Sequence, residues 1–277
     1  MAISYVNNAF AYTAATTTPS ITHGLTLADG DVLVALISNI NGTELDAQNM
    51  TSTSSRFTRA EYAMMGPVGT YTGAMSIWAR YVTTASGEDA SYAWAAASSS
   101  WSLHIFQFSG VDAAIWDVTP AAGNTKTGAA VDGTTLTAPD ITIIGNGAMG
   151  LLLAAAVTSA ASQLSAPTNS YGNGIYYTSG RCQGMARRAG LSTGAVGASS
   201  MTIAAADDYG ICQCALKYAG VAPTLSTTSI SAITATTASS GGTITSEGSS
   251  AVTQYGVVWA THTLPVIESD DHTHDKP

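Results

Sequence analysis

The chain has 277 residues, of which only 10% are charged, and its net charge is −9. A typical soluble domain is about 25% charged, so Ser, Thr, Gly, Ala and Asn must supply most of the soluble surface. With no basic run longer than Arg187-Arg188, the composition argues against a nucleic-acid surface, and no apolar run approaches the ~20 residues of a membrane helix.

The first residues, Met1 to Asn8, have neither the basic nor the apolar region of a secretory signal. Weakly charged, hydroxyl-rich β-proteins are common outside cells and on virions. We therefore expect a virion component that is assembled in the host cytoplasm and released by lysis. An extracellular or cell-surface location is the alternative.

Up to Tyr218, short apolar runs alternate with Gly, Ser, Asn and Asp, and no segment shows sustained helical periodicity. This pattern predicts an all-β fold, with a jelly-roll-like sandwich over residues 1–219. In chain order, the predicted strands are Ile3 to Tyr12, Asp31 to Ser38, Met75 to Val82, Ser91 to Ala95, Leu103 to Phe108, Leu136 to Ile143, Gly150 to Val157, Gly174 to Tyr177, Cys182 to Ala189, Ser200 to Ala204 and Gly210 to Tyr218. The predicted core, alternating with outward-facing residues, comprises Leu33, Ala35, Ile37, Ile77, Ile105, Leu151, Leu153 and Leu216.

Five landmarks in this region resemble a β-sandwich domain of phage and bacterial surface proteins. They are His23 to Ile37, Ser76 to Val82, Trp101 to Asp112, Gly147 to Ala156 and Cys212 to Lys217. The resemblance rests on strand pattern. It implies a fold and a virion or cell-surface setting, and it brings no active-site residues.

The three cysteines, Cys182, Cys212 and Cys214, are an odd set, which argues against a disulfide scaffold. Cys212 and Cys214 are two apart on a predicted strand and so share one face. We expect all three to be small buried hydrophobes.

Gly145-Asn-Gly-Ala-Met-Gly150 matches the dinucleotide-binding pattern G-x-G-x-x-G. However, no acidic residue occurs between Asp140 and Asp207, so the ribose ligand is missing. We predict a turn between two strands, as in a β-hairpin. The other glycine pattern, Gly190-Leu-Ser-Thr-Gly194, matches a nucleophile elbow, but a strand rather than a helix follows it, which favours a loop.

His272 and His274 lie among Asp270, Asp271 and Asp275. These residue types can bind a divalent metal, although a solvated acidic turn is the simpler interpretation. Of the isolated histidines, His23 and His104, we expect His104 to lie in or near the core. Trp78, Trp94, Trp101, Trp116 and Tyr71 are interpreted as core or cross-strand aromatics, with a sugar-stacking platform as the alternative.

After Gly220 to Thr224, which we interpret as a linker because of Pro223, the sequence changes character. Residues 225–277 open with a Thr-rich segment, followed by Ser-Gly-Gly242 and then Gly256-Val-Val-Trp259. They resemble the first half of an immunoglobulin-like or fibronectin-III-like module. A complete module needs about 100 residues, so we expect a longer chain or a neighbouring subunit to supply the remaining strands. The apolar face to be covered comprises Ile230, Ile233, Ile244, Val257 and Trp259.

The sequence therefore predicts a non-enzymatic bacteriophage structural protein, with no catalytic, cofactor-binding or metal-binding residues. Its expected role is that of an accessory capsid or decoration, neck or tail component, acting in assembly and in surface display or adhesion. The expected partners are copies of itself and other virion proteins. The alternative is a glycan-binding surface module whose partner is a host-surface glycan.

Overall fold

The computed structural model describes residues 2–40, 51–53, 56–66, 72–96, 99–128, 134–156, 164–177, 182–248, 252–263 and 271–272. The described residues form antiparallel sheets with little helix, which confirms the predicted all-β sandwich class. The chain divides into a main unit, Ala2–Ala219, and a terminal unit, Gly220–Pro277. The division falls where the predicted linker begins.

Each predicted strand overlaps a strand of the structure, but the predicted strand from Leu136 to Ile143 is divided in two, and the eight-residue strands Thr58–Met65 and Val111–Val118 were not predicted. The main unit contains β1 (Ser4–Thr16), β2 (Ser20–Thr22), β3 (Val32–Ile40), β4 (Thr51–Ser52), β5 (Thr58–Met65), β6 (Gly73–Tyr81), β7 (Ser91–Ala95), β8 (Ser99–Ser109), β9 (Val111–Val118), β10 (Thr125–Gly128), β11 (Thr135–Ala138), β12 (Thr142–Ile143), β13 (Ala148–Ala156), β14 (Gly172–Tyr177), β15 (Cys182–Leu191), β16 (Gly194–Ala195), β17 (Ser199–Thr202) and β18 (Tyr209–Tyr218). The terminal unit contains β19 (Thr224–Ser231), β20 (Ser239–Ser246), β21 (Val258–Trp259) and β22 (Asp271–His272). Single 3₁₀ turns span Ala85–Gly87 and Ala122–Asn124.

The two large sheets of the main unit repeat one topology. The first has the strand order β1-β8-β3-β6-β5, and the second has β10-β18-β13-β15-β14, with β9 also pairing with β18. If the five strands of each order are numbered 1 to 5 along the chain, both sheets have the order 1-5-2-4-3. The main unit thus consists of two successive halves with the same strand connections.

The repetition extends to a backbone detail at the start of each second strand. Gly30 precedes β3 and Gly147 precedes β13, and their φ angles are +87° and +82°. The Gly30 amide donates to the Val82 carbonyl and the Gly147 amide to the Leu191 carbonyl, each at 2.8 Å. Glycine is the residue that adopts such a positive φ without steric cost.

The predicted core residues are all buried, but the predicted alternation with outward residues is wrong for the central strands. One core lies between the two large sheets and includes Leu36, Phe106, Leu151 and Leu216. Three further buried clusters lie on the opposite sheet faces, and the smallest includes Ile143 of β12 and Ala215 of β18. The outer face of the first sheet packs beneath β2 and β7, and that of the second packs beneath β11 and β17. Because both faces of the central strands are buried, their sequences are continuous apolar runs and not alternating ones.

The cysteines lie where the sequence predicted. Cys212 and Cys214 share the face between the two large sheets, whereas Cys182 belongs to the outer core of the second sheet. All three are free and buried. Burial raises the pKa of the Cys182 thiol to about 11, so this thiol is protonated at neutral pH and behaves as a hydrophobe.

No helix among the described segments has the length and apolar character required to cross a bilayer.

Candidate assembly surface

The terminal unit is built on a hairpin of β19 and β20. Leu225 lies opposite Ile244 in the antiparallel register, and Thr227 lies opposite Gly242. A Cβ at Gly242 would lie 2.8 Å from the Ser226 carbonyl oxygen, so a larger residue would force the strands apart. β-branched Thr and Ile favour the extended backbone here.

The hairpin has no apolar cover among the described residues. All eight residues of β19 are exposed, including Leu225 at 67% and Ile230 at 65%. Beyond the hairpin, Ile233 is 73% exposed and Trp259 is 50% exposed. Because large apolar side chains gain free energy when they leave water, this surface is typical of a binding face.

An open groove of about 1460 Å³ runs along this surface. Its walls come from segments within 225–230, 236–244 and 255–259, and none of the lining residues is charged. Thr and Ser hydroxyls lie among the apolar side chains. The groove therefore suits an uncharged, apolar segment that can also accept hydrogen bonds from hydroxyl groups.

The sequence identified most of this surface. Ile230, Ile233 and Trp259 are exposed, as predicted for an uncovered face, whereas Ile244 and Val257 are half-buried. Sequence reasoning missed Leu225 and Tyr255, which also line the groove. Leu225 could have been identified through its pairing with Ile244, because paired residues of a hairpin lie side by side on one face.

The glycine motif at Gly145 is a turn, but the predicted hairpin is wrong. β12 pairs with β16, whereas β13 pairs with β15 and β18, so the two flanking strands do not pair with each other. The amides of Ile144 and Gly145 donate to the two carboxylate oxygens of Asp117 at 2.8 and 2.7 Å. These backbone donors are therefore engaged by a carboxylate of the chain itself. No helix follows, because Leu151 to Ala156 belong to β13.

The second glycine motif is a loop, as predicted. β15 ends at Leu191 and β16 begins at Gly194, which leaves Ser192 exposed between them. The Thr193 amide donates to the side chain of Asn146 at 3.1 Å. The strand-to-helix turn of a nucleophile elbow is thus not formed here.

Three of the five histidines lie in different settings. His104 is fully buried on β8, its Nε2 lies 2.9 Å from Asn8 Oδ1, and burial lowers its pKa to about 3. His23 stacks on Tyr92 with ring centroids 4.9 Å apart. His272 pairs with Val258 through the β22 backbone.

Only two of the metal-ligand candidates in the terminal acidic segment lie among the described residues. Asp271 and His272 form β22, whereas Asp270, His274 and Asp275 lie outside the described residues. Within the described ranges, no three His, Cys, Asp or Glu side chains come together to hold a metal ion.

Three of the tryptophans lie in the core. Trp78, Trp94 and Trp101 are 4%, 0% and 1% exposed and pack in the outer core of the first sheet. Trp116 packs at the edge of the core between the sheets, and Tyr71 lies outside the described residues. A sugar cannot stack on the three buried rings, so a glycan platform built from them is contradicted.

The densest charge cluster surrounds Glu88. Its Oε1 accepts from Arg80 at 2.6 Å and lies 3.4 Å from Arg56, and its Oε2 accepts from the Tyr92 hydroxyl at 2.9 Å. Burial opposes ionisation, but the bonds from Arg80 and Tyr92 hold the pKa of Glu88 below its ordinary value. Both carboxylate oxygens are thus engaged, and the cluster fastens the loop after β6 to the sheet.

Comparisons with known proteins identify no relative of this chain. No protein-family model, no curated protein and no solved structure matches it.

Proposed function

We propose that this chain is a non-enzymatic structural subunit of a bacteriophage virion, an accessory capsid, neck or tail component that joins its neighbours through the terminal unit. The observation that supports this proposal is the apolar groove of the terminal unit, which no described residue covers. Leu225, Ile230 and Trp259 are each half or more exposed. The low charge and hydroxyl-rich composition agree with a surface protein.

The groove favours a β-strand as its occupant. The β19–β20 hairpin is a two-stranded sheet, and two strands alone are marginally stable in water. An added strand supplies main-chain hydrogen bonds and covers the apolar side chains at the same time. The uncharged lining matches the weakly charged, Thr-rich and Ala-rich strands of this chain.

The test is the solution mass of the full chain and of Leu225→Ser/Trp259→Ser, measured by light scattering over a range of concentrations. We expect the unaltered chain to form larger, concentration-dependent species that the double variant forms much less readily. An Ile144→Ser variant, altered at an exposed apolar residue of the main unit, should assemble normally. Equal masses for the chain and the double variant would contradict assembly through the groove.

A second function, glycan binding, is favoured by one specific observation. Tyr255 and Trp259 line the groove at 45% and 50% exposure, beside Thr and Ser hydroxyls. Exposed aromatic faces with nearby hydroxyls are suited to stacking on a sugar ring and bonding its hydroxyl groups.

The two functions are separated by substitutions in the same groove. Trp259→Leu retains an apolar side chain but removes the stacking surface, so it should preserve assembly and abolish glycan-array binding. Leu225→Ser should weaken assembly and leave glycan binding in place. An array with no signal for the unaltered chain would exclude the glycan function for the sugars present.

A further inference from the structure

The main unit has one unusually long strand at the edge of a sheet. β1 spans 13 residues and lies at the end of the first sheet, where it pairs with β8. No other described strand pairs with its outer side. Every second residue of such a strand points its amide and carbonyl away from the sheet, and these groups can pair with another strand.

The second half of the main unit provides an internal comparison. β9 and β10 pair with β18 in succession, at the position where β1 pairs with β8. That edge is interrupted by Pro120 and a 3₁₀ turn, and its two strands contain Asp112, Asp117 and Lys126. Proline, charge and a broken strand are the devices by which proteins protect sheet edges.

β1 has none of these charge or proline devices. Residues 1–28 contain no Asp, Glu, Lys or Arg, and the first proline is Pro19. β1 has irregularities at its two ends, but from Asn7 to Thr13 it pairs with β8 without interruption. At the opposite end of the first sheet, β5 contains Arg59 and Glu61.

Exposed apolar side chains concentrate on the same strand. Among the described residues of the main unit, the large hydrophobic side chains that are exposed belong to Val6 (48%), Tyr12 (41%) and Ile144 (75%). Two of these three lie on β1. An unprotected edge and exposed apolar side chains therefore coincide on one element.

We propose that the outer edge of β1 is a homotypic interface, at which β1 pairs antiparallel with β1 of a second copy of this chain. The two five-stranded sheets then form one continuous sheet across a two-fold axis. A two-fold axis brings the same strand from both copies together antiparallel, so one edge can serve both partners. The interface belongs to the main unit and is independent of the groove proposed above.

The absence of charged side chains on β1 makes this edge suitable for a second copy of the chain. Each chain has a net charge of −9, so two copies repel one another over most of their surfaces. β1 brings no charged side chain to the interface, and the pairing can therefore form without placing like charges opposite each other. β1 has no carboxylate with which a basic partner could form an ion pair.

The test is made in the Leu225→Ser/Trp259→Ser background, so that assembly through the groove does not obscure the result. Light scattering should give twice the monomer mass in this background. Adding Val6→Lys/Tyr12→Lys should reduce the mass to that of a monomer, because two copies would then place lysines at the shared edge. Adding Ile144→Lys, which introduces the same charge at another exposed apolar residue, should leave the dimer intact.

Two results would overturn the proposal: a monomer in the background itself, or a dimer that persists with both lysines on β1. If only the groove proposal fails, the chain with an intact groove will have the same dimer mass as the background. Amide hydrogen exchange on the chain with unaltered β1 provides a check that does not require the lysine variants to fold. Protection of the β1 amides should fall as the protein is diluted, and concentration-independent exchange would contradict the interface.

Discussion

The Ser38 hydroxyl donates a hydrogen bond of 2.8 Å to Gln183 Oε1, and this bond joins the two large sheets through their buried interior. Ser38 lies on β3 and Gln183 on β15, and both are 0% exposed. The surrounding core is apolar, with Leu36 and Met185 nearby along the same strands. A hydrogen-bonded polar pair at this position fixes the position of one sheet relative to the other.

Removing one partner of this pair should cost more than removing both. Ser38→Ala leaves the Gln183 oxygen buried without its donor, and we expect a loss of about 1–3 kcal/mol in the free energy of unfolding. Ser38→Ala/Gln183→Met replaces both partners with apolar groups and should recover most of that loss. Urea denaturation of the three proteins measures this difference. A double variant that is no more stable than Ser38→Ala would show that the bond does not couple the sheets.

Leu153 tests the core between the sheets. It is 0% exposed on β13, so Leu153→Ala should destabilise the main unit by about 2–5 kcal/mol. Ile144→Ala truncates a side chain that is 75% exposed and should change stability by less than about 0.5 kcal/mol. Thermal and urea unfolding report both values. A small loss at Leu153 would mean that this core is not packed as described.

The turn at Gly145 should bind no dinucleotide. Its Ile144 and Gly145 amides are held by Asp117, so titration with NAD, NADP or FAD should leave the melting temperature unchanged. Asp117→Ala removes both hydrogen bonds and should cost about 1–3 kcal/mol, because bonds to a charged acceptor are among the stronger ones. A saturable rise in melting temperature on nucleotide addition would identify a ligand of the native state and contradict this interpretation.

His104 should make the fold sensitive to mild acid. Its pKa is lowered from 6.5 to about 3 by burial, so between these values the unfolded chain binds a proton that the folded chain does not. Stability should therefore fall as the pH drops below 6.5, by about 2 kcal/mol between pH 7 and pH 5. His104→Gln should show a much smaller fall over this interval. The same pH dependence in both proteins would show that another group is responsible.

The sequence predicted the elements of the main unit better than their arrangement. β3, β6 and β13 are apolar runs bounded by Gly, Asp or Ser, and such runs identify strands directly. The burial of both faces was missed: β7, β11 and β17 lie within predicted strands, but the sequence does not show that they lie over the outer faces of the large sheets. β2 has three residues and β12 has two, too few to show a period of two.

The repeated topology was also invisible in the sequence. The two halves fill their buried sheets with different residue pairs: Leu36 of β3 lies opposite His104, whereas Leu151 of β13 lies opposite Cys214. All four side chains are fully buried. A core position constrains volume and polarity more than identity, so similar packing can be reached with different residues.

Part of the candidate surface could be predicted because it violates an ordinary rule. Ile230 and Trp259 are large apolar residues within a Thr-rich segment, and large apolar side chains on a surface are typical of a binding face. The β1 edge could not be predicted in the same way. Val6 and Tyr12 look like ordinary strand residues until the sheet order places β1 at an edge.

The central claim, that this chain is a structural subunit of a virion, is tested most directly on phage particles. Particles purified from cells that carry the encoding genome should contain the chain by mass spectrometry, in a fixed number of copies. A cryo-electron microscopy map should place the main unit at symmetry-related surface or tail positions, with density over the Leu225 to Trp259 groove. Particles that lack the chain, while it is abundant in the soluble lysate, would contradict the account.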